Sequence, residues 1–255
     1  MKTLLVRPPS ASLSDGQTTY IDRVPINVTL AQKQWQAYVD SMSSEGWTIV
    51  SVERADDAPD SVFVEDTLII FGRLAVLASP GLASRFSEIR GAQATVNNLG
   101  LETCRIKAPG TLDGGDVLKI GKTVYVGRSD RTNAEGIRQL RAIISPLGYT
   151  VVAVPVTKAL HLKSAVTALP DGTVIGYEPI VDSTSIFPRF LPVPEVYGVA
   201  VVVLNDHSVL MSANAPKTAK MIGDLVSRTN KFSPSRISLT HSNHICGLVT
   251  DRDIT

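Results

Sequence analysis

Asp116-Val117-Leu118-Lys119-Ile120-Gly121-Lys122-Thr123-Val124-Tyr125-Val126 opens the stretch whose reading decides the fold. Two β-rich runs, Asp116 to Ile120 and Thr123 to Val126, flank Gly121-Lys122, the composition of a hairpin with a tight turn. A helix follows. It opens on the capping-box pattern Thr132-Asn133-Ala134-Glu135 and ends before Gly148. A strand over Thr150 to Val154 closes the unit.

The same hairpin–helix–strand order recurs outward in both directions. Upstream, Ser61 to Phe71 and Leu74 to Ala78 read as a hairpin turned at Gly72, followed by a helix from about Leu82 to Val96 and a strand near Cys104 to Lys107. The N-terminal part supplies a strand over Thr3 to Val6, a helix over Thr29 to Met42 opened by Thr29-Leu30-Ala31-Gln32, and a strand over Thr48 to Val52. Downstream, Ser164 to Leu169 and Thr173 to Tyr177 flank the turn Pro170-Asp171-Gly172. A weak helix and a Pro-rich loop from Pro188 to Pro194 come next. The following unit has Val199 to Leu204, a turn at Asn205-Asp206, Ser208 to Met211, a helix from about Pro216 to Arg228 and a strand over Arg236 to Thr240. A last strand, containing Cys246, is expected to pair back with the N-terminal region.

A period of roughly 45 to 65 residues is too long for ankyrin or tetratricopeptide arrays. Hairpins, not single strands, separate the helices, which argues against a doubly wound sheet. Four to five units arranged radially make an α/β propeller, in which strand edges are protected and residues from distant units converge on a central channel. The expectation is one such domain over residues 1–255.

Composition narrows the function. The chain has 255 residues, 44% hydrophobic and 19% charged, and its net charge is +1. That balance is no footprint for nucleic acid, and 5% aromatics offer no stacking platform for single strands. The apolar run Leu4-Leu5-Val6 is too short for a signal peptide, and no stretch approaches the ~20 apolar residues of a membrane span. Two cysteines, Cys104 and Cys246, make no disulfide framework, so a reducing cytoplasm is the expected setting.

The candidate chemistry is scattered. Cys246 is one of two cysteines, and His161 in Leu160-His161-Leu162-Lys163-Ser164 is one of four histidines. A lone thiol and a distant histidine that meet in the fold are the parts of a cysteine-nucleophile site, although a cysteine in an apolar strand is also an ordinary core residue. Pro59-Asp60-Ser61-Val62-Phe63-Val64-Glu65-Asp66 places three carboxylates beside a hydrophobic run. Acidic residues are depleted in strands, so this cluster either ends a strand in solvent or receives a cation such as a guanidinium. Thr111-Leu112-Asp113-Gly114-Gly115-Asp116 sets an acid before two glycines, either a plain turn or backbone that something approaches closely. Arg85 and Arg131 each stand near a helix start. No metal-ligand spacing, phosphate loop or serine-hydrolase elbow is present, so no metal is expected.

Pro59 to Asp66, Ala108 to Val117, Arg131 to Gly136 and Leu160 to Ser164 together strongly resemble the dimethylarginine dimethylaminohydrolases, of the guanidino-group-modifying (pentein) superfamily. The resemblance runs in order from the Ser12 to Gly16 loop to the C-terminus. It implies a five-bladed α/β propeller and cofactor-free hydrolysis of a methylated arginine to citrulline. On this reading Cys246 attacks the guanidinium carbon and His161 is the general acid and base. Asp113 orients His161 and contacts the guanidinium, and Asp66 holds the guanidinium nitrogens with Asp60 and Glu65 completing the acidic wall. Glu65 would lie towards the α-amino end. Arg85 and Arg131 grip the α-carboxylate, and Leu13 to Gln17 forms a flexible lid. Two registers remain for the C-terminal segment. One puts Cys246 at the nucleophile position; the other puts Asp251 there and makes the protein a silent binder of an arginine-like ligand. An arginine or agmatine deiminase or an amidinotransferase is the other alternative. A small-molecule substrate is expected, with neither nucleic acid nor membrane as partner, and a homodimer is left open.

Overall fold

The computed structural model describes residues 2–17, 25–205, 208–229, 236–240 and 249–251. In chain order the elements are β1 (Thr3–Val6), α1 (Val28–Ser44), β2 (Thr48–Ser51), β3 (Leu68–Phe71), β4 (Leu74–Leu77), α2 (Glu88–Asn98) and β5 (Glu102–Arg105). Then come β6 (Val117–Ile120), β7 (Thr123–Arg128), α3 (Ala134–Ile144), β8 (Thr150–Pro155), α4 (Leu162–Ala165), β9 (Val166–Ala168), β10 (Val174–Gly176) and β11 (Phe190–Pro192). The chain ends with β12 (Val201–Asn205), β13 (Ser208–Ser212), α5 (Pro216–Thr229), β14 (Arg236–Thr240) and β15 (Val249–Asp251).

Among the described residues these strands form five three-stranded sheets: β15-β1-β2, β3-β4-β5, β6-β7-β8, β9-β10-β11 and β12-β13-β14. In each the first two strands pair antiparallel and the third returns parallel to the second. The parallel return requires a crossover, and α1, α2, α3 and α5 supply it in four sheets. In the fourth sheet two 3₁₀ turns, Glu178–Ile180 and Thr184–Ile186, do that job. The first sheet is completed by the chain's last described strand, with Thr3 opposite Asp251.

The core lies in the gaps between neighbouring sheets. Leu5 of β1 packs with Leu68, Ile70 and Leu77 of the second sheet, while its neighbour Leu4 packs with Leu204 and Leu210 of the fifth. Ile69, Phe71 and Val76 join Val124 and Val126; Tyr125 and Val154 join Val166 and Val174; Ile175 joins Val209 and Met211. Successive residues of a strand point to opposite faces, so each sheet buries both faces against two neighbours. The five gaps close a ring: the repeat led to four or five units, and five is the number the family resemblance implied. Strands buried on both sides read as continuous apolar runs such as Leu68-Ile69-Ile70-Phe71 instead of alternating patterns.

Several boundaries differ from the sequence reading. The hairpins turn at Gly72 (φ 59°) and Gly121 (φ 56°) as read. The helix caps are Asn27, accepting from the Leu30 amide, and Asn133, accepting from the Gly136 amide, because asparagine caps as well as threonine does. Residues 61–67 are not strand but an irregular segment ending in the 3₁₀ turn Val64–Asp66. The Pro-rich loop conceals β11, which occurs at a sheet edge, where Pro192 costs no ladder hydrogen bond. Among the described residues no helix is long and apolar enough to cross a membrane.

Candidate active site

Three short segments, each directly preceding the first strand of a hairpin, meet at one place. They are Val64–Asp66 before β3, Gly114–Asp116 before β6, and His161, the residue that starts α4 before β9. Equivalent positions of three successive sheets thus bring together residues far apart in sequence.

His161 is buried, and its two ring nitrogens face different carboxylates. Nδ1 lies 3.2 Å from Asp116 Oδ2. That carboxylate also accepts from Ser129 Oγ at 2.6 Å, Thr132 Oγ1 at 2.7 Å and, through Oδ1, the Leu162 amide at 2.9 Å. Nε2 points the other way, 3.8 Å from Asp66 Oδ2 and 3.9 Å from Asp113 Oδ2. Burial alone would lower the imidazole's pKa; the charge of Asp66, then the bond and charge of Asp116, outweigh it and raise the value to about 9. A histidine in this setting holds its proton at neutral pH.

Asp66 is fixed by Gly115, whose amide donates to Oδ1 at 2.8 Å, and by Arg85, whose Nη1 donates to Oδ2 at 2.6 Å. Burial raises its pKa, but His161 and Arg85 together bring it down to about 2. Arg85 is itself buried and spends its fork inside the protein. Nε and Nη2 grip both oxygens of Glu88 at 3.0 and 2.8 Å, and Nη2 also reaches the Asp60 and Phe63 carbonyls. Burial opposes the charge on Arg85, and the two carboxylates more than restore it.

Asp113 differs from both. Its Oδ1 accepts from the Gly81 amide at 3.0 Å, while Oδ2, fully buried, has no hydrogen-bond partner. Burial and the neighbouring Asp66 charge push its pKa up to about 7. Two carboxylates of contrasting ionisation therefore face one imidazole nitrogen.

The sequence-derived roles sort out as follows. His161, Asp66 and Asp113 do come together. The carboxylate bonded to the far nitrogen of His161 is Asp116, whereas Asp113 faces Nε2; spacing within Asp-Gly-Gly-Asp cannot tell which acid turns which way. Arg85, expected at the α-carboxylate, is bonded to Asp66 and Glu88. Glu65, expected towards the α-amino end, pairs through Oε2 with Lys163 at 2.5 Å. Asp60 accepts from the Gln17 amide at 3.2 and 3.3 Å, so the Leu13 to Gln17 loop is docked on the acidic segment. Arg131 is half-buried, with its amide donating to Ser129 Oγ at 3.0 Å. Cys246 lies outside the described residues. Asp116, Ser129, Thr132, Glu88 and Lys163 escaped the sequence reading. One signal was available for Asp116, an acid abutting the apolar run Val117-Leu118, where a carboxylate needs partners.

Asp66, Asp113 and His161 present ligand atoms within 4.8 Å of one another, a set that could hold a metal ion although no sequence spacing signals one. The same triangle suits a planar organic cation with several N–H donors, since Asp113 Oδ2 lacks a donor and Asp66 is ionised.

The family model for arginine deiminase matches residues 85–218. The chain is 54% identical over 224 residues to the N(G),N(G)-dimethylarginine dimethylaminohydrolase of Streptomyces coelicolor, covering 88% of this chain and 87% of the relative. A solved dimethylarginine dimethylaminohydrolase, a histidine-to-glycine variant in an adduct with S-methyl-L-thiocitrulline, superposes with a TM-score of 0.84 at 30% identity, covering 94% of this chain and 92% of that one. The Pseudomonas aeruginosa enzyme, as a cysteine-to-serine mutant complexed with citrulline, gives 0.81 at 31% identity over 91% and 92%.

Proposed function

The chain belongs to the dimethylarginine dimethylaminohydrolase family, of the pentein superfamily, and on that premise we propose that it hydrolyses N(ω)-methylated arginine to citrulline and methylamine or dimethylamine. The observation that carries this reading is the pair of acceptors facing His161 Nε2. Ionised Asp66 and the unpartnered Oδ2 of Asp113 offer a guanidinium its hydrogen-bond acceptors beside an imidazole that carries a proton.

The chemistry then follows from the groups. The Cys246 thiolate adds to the guanidinium carbon, and the C–N bond to the methylated nitrogen breaks as His161 gives that nitrogen its Nε2 proton. Deprotonated His161 next takes a proton from water. The hydroxide adds to the S-bound carbon, the C–S bond breaks, the new hydroxyl gives up its proton to solvent, where the released amine takes it up, and citrulline leaves with the thiolate restored. A thiol of pKa ~8.5 needs a cationic neighbour to ionise at neutral pH, and protonated His161 is one.

Topology supports Cys246 over Asp251 as the nucleophile. β15 stands to β1 as β3 stands to β4, and functional residues precede the first strand of the pair. Cys246 comes three residues ahead of β15 in sequence, whereas Asp251 is inside it, opposite Thr3. Asp60 extends the acidic wall, Arg131 takes the α-carboxylate, and Gln17 with the docked loop covers the substrate. Arg85 acts through Asp66, as does Lys163 through Glu65.

The test is citrulline release from asymmetric dimethylarginine by wild type and Cys246→Ser, with agmatine as the competing substrate. Turnover of methylarginine lost in the variant supports the reading. A folded wild type that binds methylarginine without turnover refutes the hydrolase and identifies a silent binder.

A further inference from the structure

We infer that Asp116, together with the Ser129 and Thr132 hydroxyls that hold it, is a positioning assembly. It fixes the Nδ1–H form of His161 and ties the backbone amides of Asp113 and Arg131 to the carboxylate that holds the ring. The consequence for rate rests on the hydrolase reading above; the assembly itself is readable in the resting protein.

Asp116 is fully buried and accepts from three donors, Ser129 Oγ, Thr132 Oγ1 and the Leu162 amide, with His161 Nδ1 3.2 Å from the same carboxylate. A carboxylate so surrounded is an acceptor only, so the nitrogen beside it must carry hydrogen and Nε2 becomes the nitrogen that titrates. The Leu162 amide belongs to the first turn of α4, so the same carboxylate sets both the ring and the element that bears it.

The hydroxyls extend the assembly to the neighbouring backbone. Thr132 Oγ1 donates to Asp116 and accepts the Asp113 amide at 3.1 Å, linking the two acids through one buried side chain. Ser129 Oγ donates to Asp116 and accepts the amides of Arg131 at 3.0 Å and Thr132 at 3.2 Å. Ser129 and Thr132 thus turn the loop after β7 inward on one carboxylate. Backbone clearance matches this arrangement, since a Cβ on Gly127 of β7 would stand 2.5 Å from Asp116 Oδ1. Only a glycine lets the carboxylate lie there.

Among the described residues the charged groups facing His161 are Asp66, with Arg85 behind it, and Asp113 and Asp116. Lys163, on the same short helix, is neutralised by Glu65. Replacing Asp116 by asparagine removes one negative charge and, with the carbonyl kept on the Leu162 amide, sets an NH2 donor against Nδ1, while leaving the Nε2 side intact.

The experiment is ¹⁵N-resolved NMR titration of His161 in wild type, Asp116→Asn, Thr132→Val and Thr132→Ser, beside citrulline formation as a function of pH. In wild type Nδ1 should stay protonated and Nε2 alone titrate. In Asp116→Asn the His161 pKa should fall by about 1–3 units. Its kcat should drop on the order of 10²- to 10⁴-fold, with the alkaline limb of the profile moving to lower pH. Thr132→Val should shift both in the same direction by less, and Thr132→Ser should restore them. If His161 titrates unchanged in Asp116→Asn and Thr132→Val while activity falls only with stability, the assembly is scaffolding and the inference is overturned. Wild type that makes no citrulline, yet shows the NMR shifts, upholds the assembly and removes the hydrolase reading instead.

Discussion

Gly115→Ala is the sharpest test of the site's geometry. Gly115 sits in the turn before β6, and its φ is outside the left-handed region, so alanine brings no backbone strain there. What it brings is a methyl group 2.7 Å from Asp66 Oδ1 and 2.9 Å from both Cγ and Cδ2 of His161. Carbon atoms settle at about 3.5–4.0 Å, so the imidazole must retreat by at least ~0.6 Å or the turn must open by as much. Overpacking of this kind costs about 1–3 kcal/mol, within the margin of a domain stable by ~5–15 kcal/mol, so the variant should fold. Displacement of a reacting group by ~1 Å costs up to about 10²-fold, so kcat for citrulline formation should fall ~10- to 100-fold. Gly148→Ala is the control. Gly148 has φ 81° and nothing within 4 Å of a built Cβ, so the change should cost about 1–2 kcal/mol of stability in urea and leave kcat alone. Gly115→Ala within about threefold of wild-type kcat would refute the claim that this backbone seats the imidazole and Asp66.

Two further outcomes follow from the same charges. Folded His161 binds its proton up to about pH 9, against 6.5 for the free side chain, so its contribution to stability is full below 6.5 and lost as pH rises through 9. The unfolding midpoint should therefore decline between these values, and His161→Asn should flatten that decline; an unchanged slope in the variant would disprove the assignment. Asp113, raised to about 7 from 3.8, lowers stability in the same direction over its own, more acidic window. Arg85→Met should destabilise by about 3–5 kcal/mol in urea denaturation, because buried Glu88 loses the cation bonded to it and buried Asp66 is left with His161 at 3.8 Å. A loss below ~1 kcal/mol would mean that water already compensates those carboxylates.

Much of the fold is legible in the chain. Apolar runs of strand length, glycine turns such as Gly72 and Gly121, and capped amphipathic helices recur in one order, and that order permits only sheets with a hairpin and a parallel return. The acidic segment, the Asp-Gly-Gly-Asp turn and His161 stand out as polar groups beside apolar strands, so part of the site is legible too, although Ser129, Thr132 and Glu88 carry no such signal. The assignment of partners is not. Asp113 and Asp116 are three residues apart in one turn, yet one accepts the Gly81 amide and faces Nε2 while the other gathers Ser129, Thr132 and Nδ1. Arg85 looks like any surface arginine at a helix start until Glu88 and Asp66 close on its fork. Local periodicity records which face of an element is buried, because burial repeats with the backbone. Which donor meets which acceptor depends on how sheets separated by dozens of residues rotate against each other, and only the closed ring decides that.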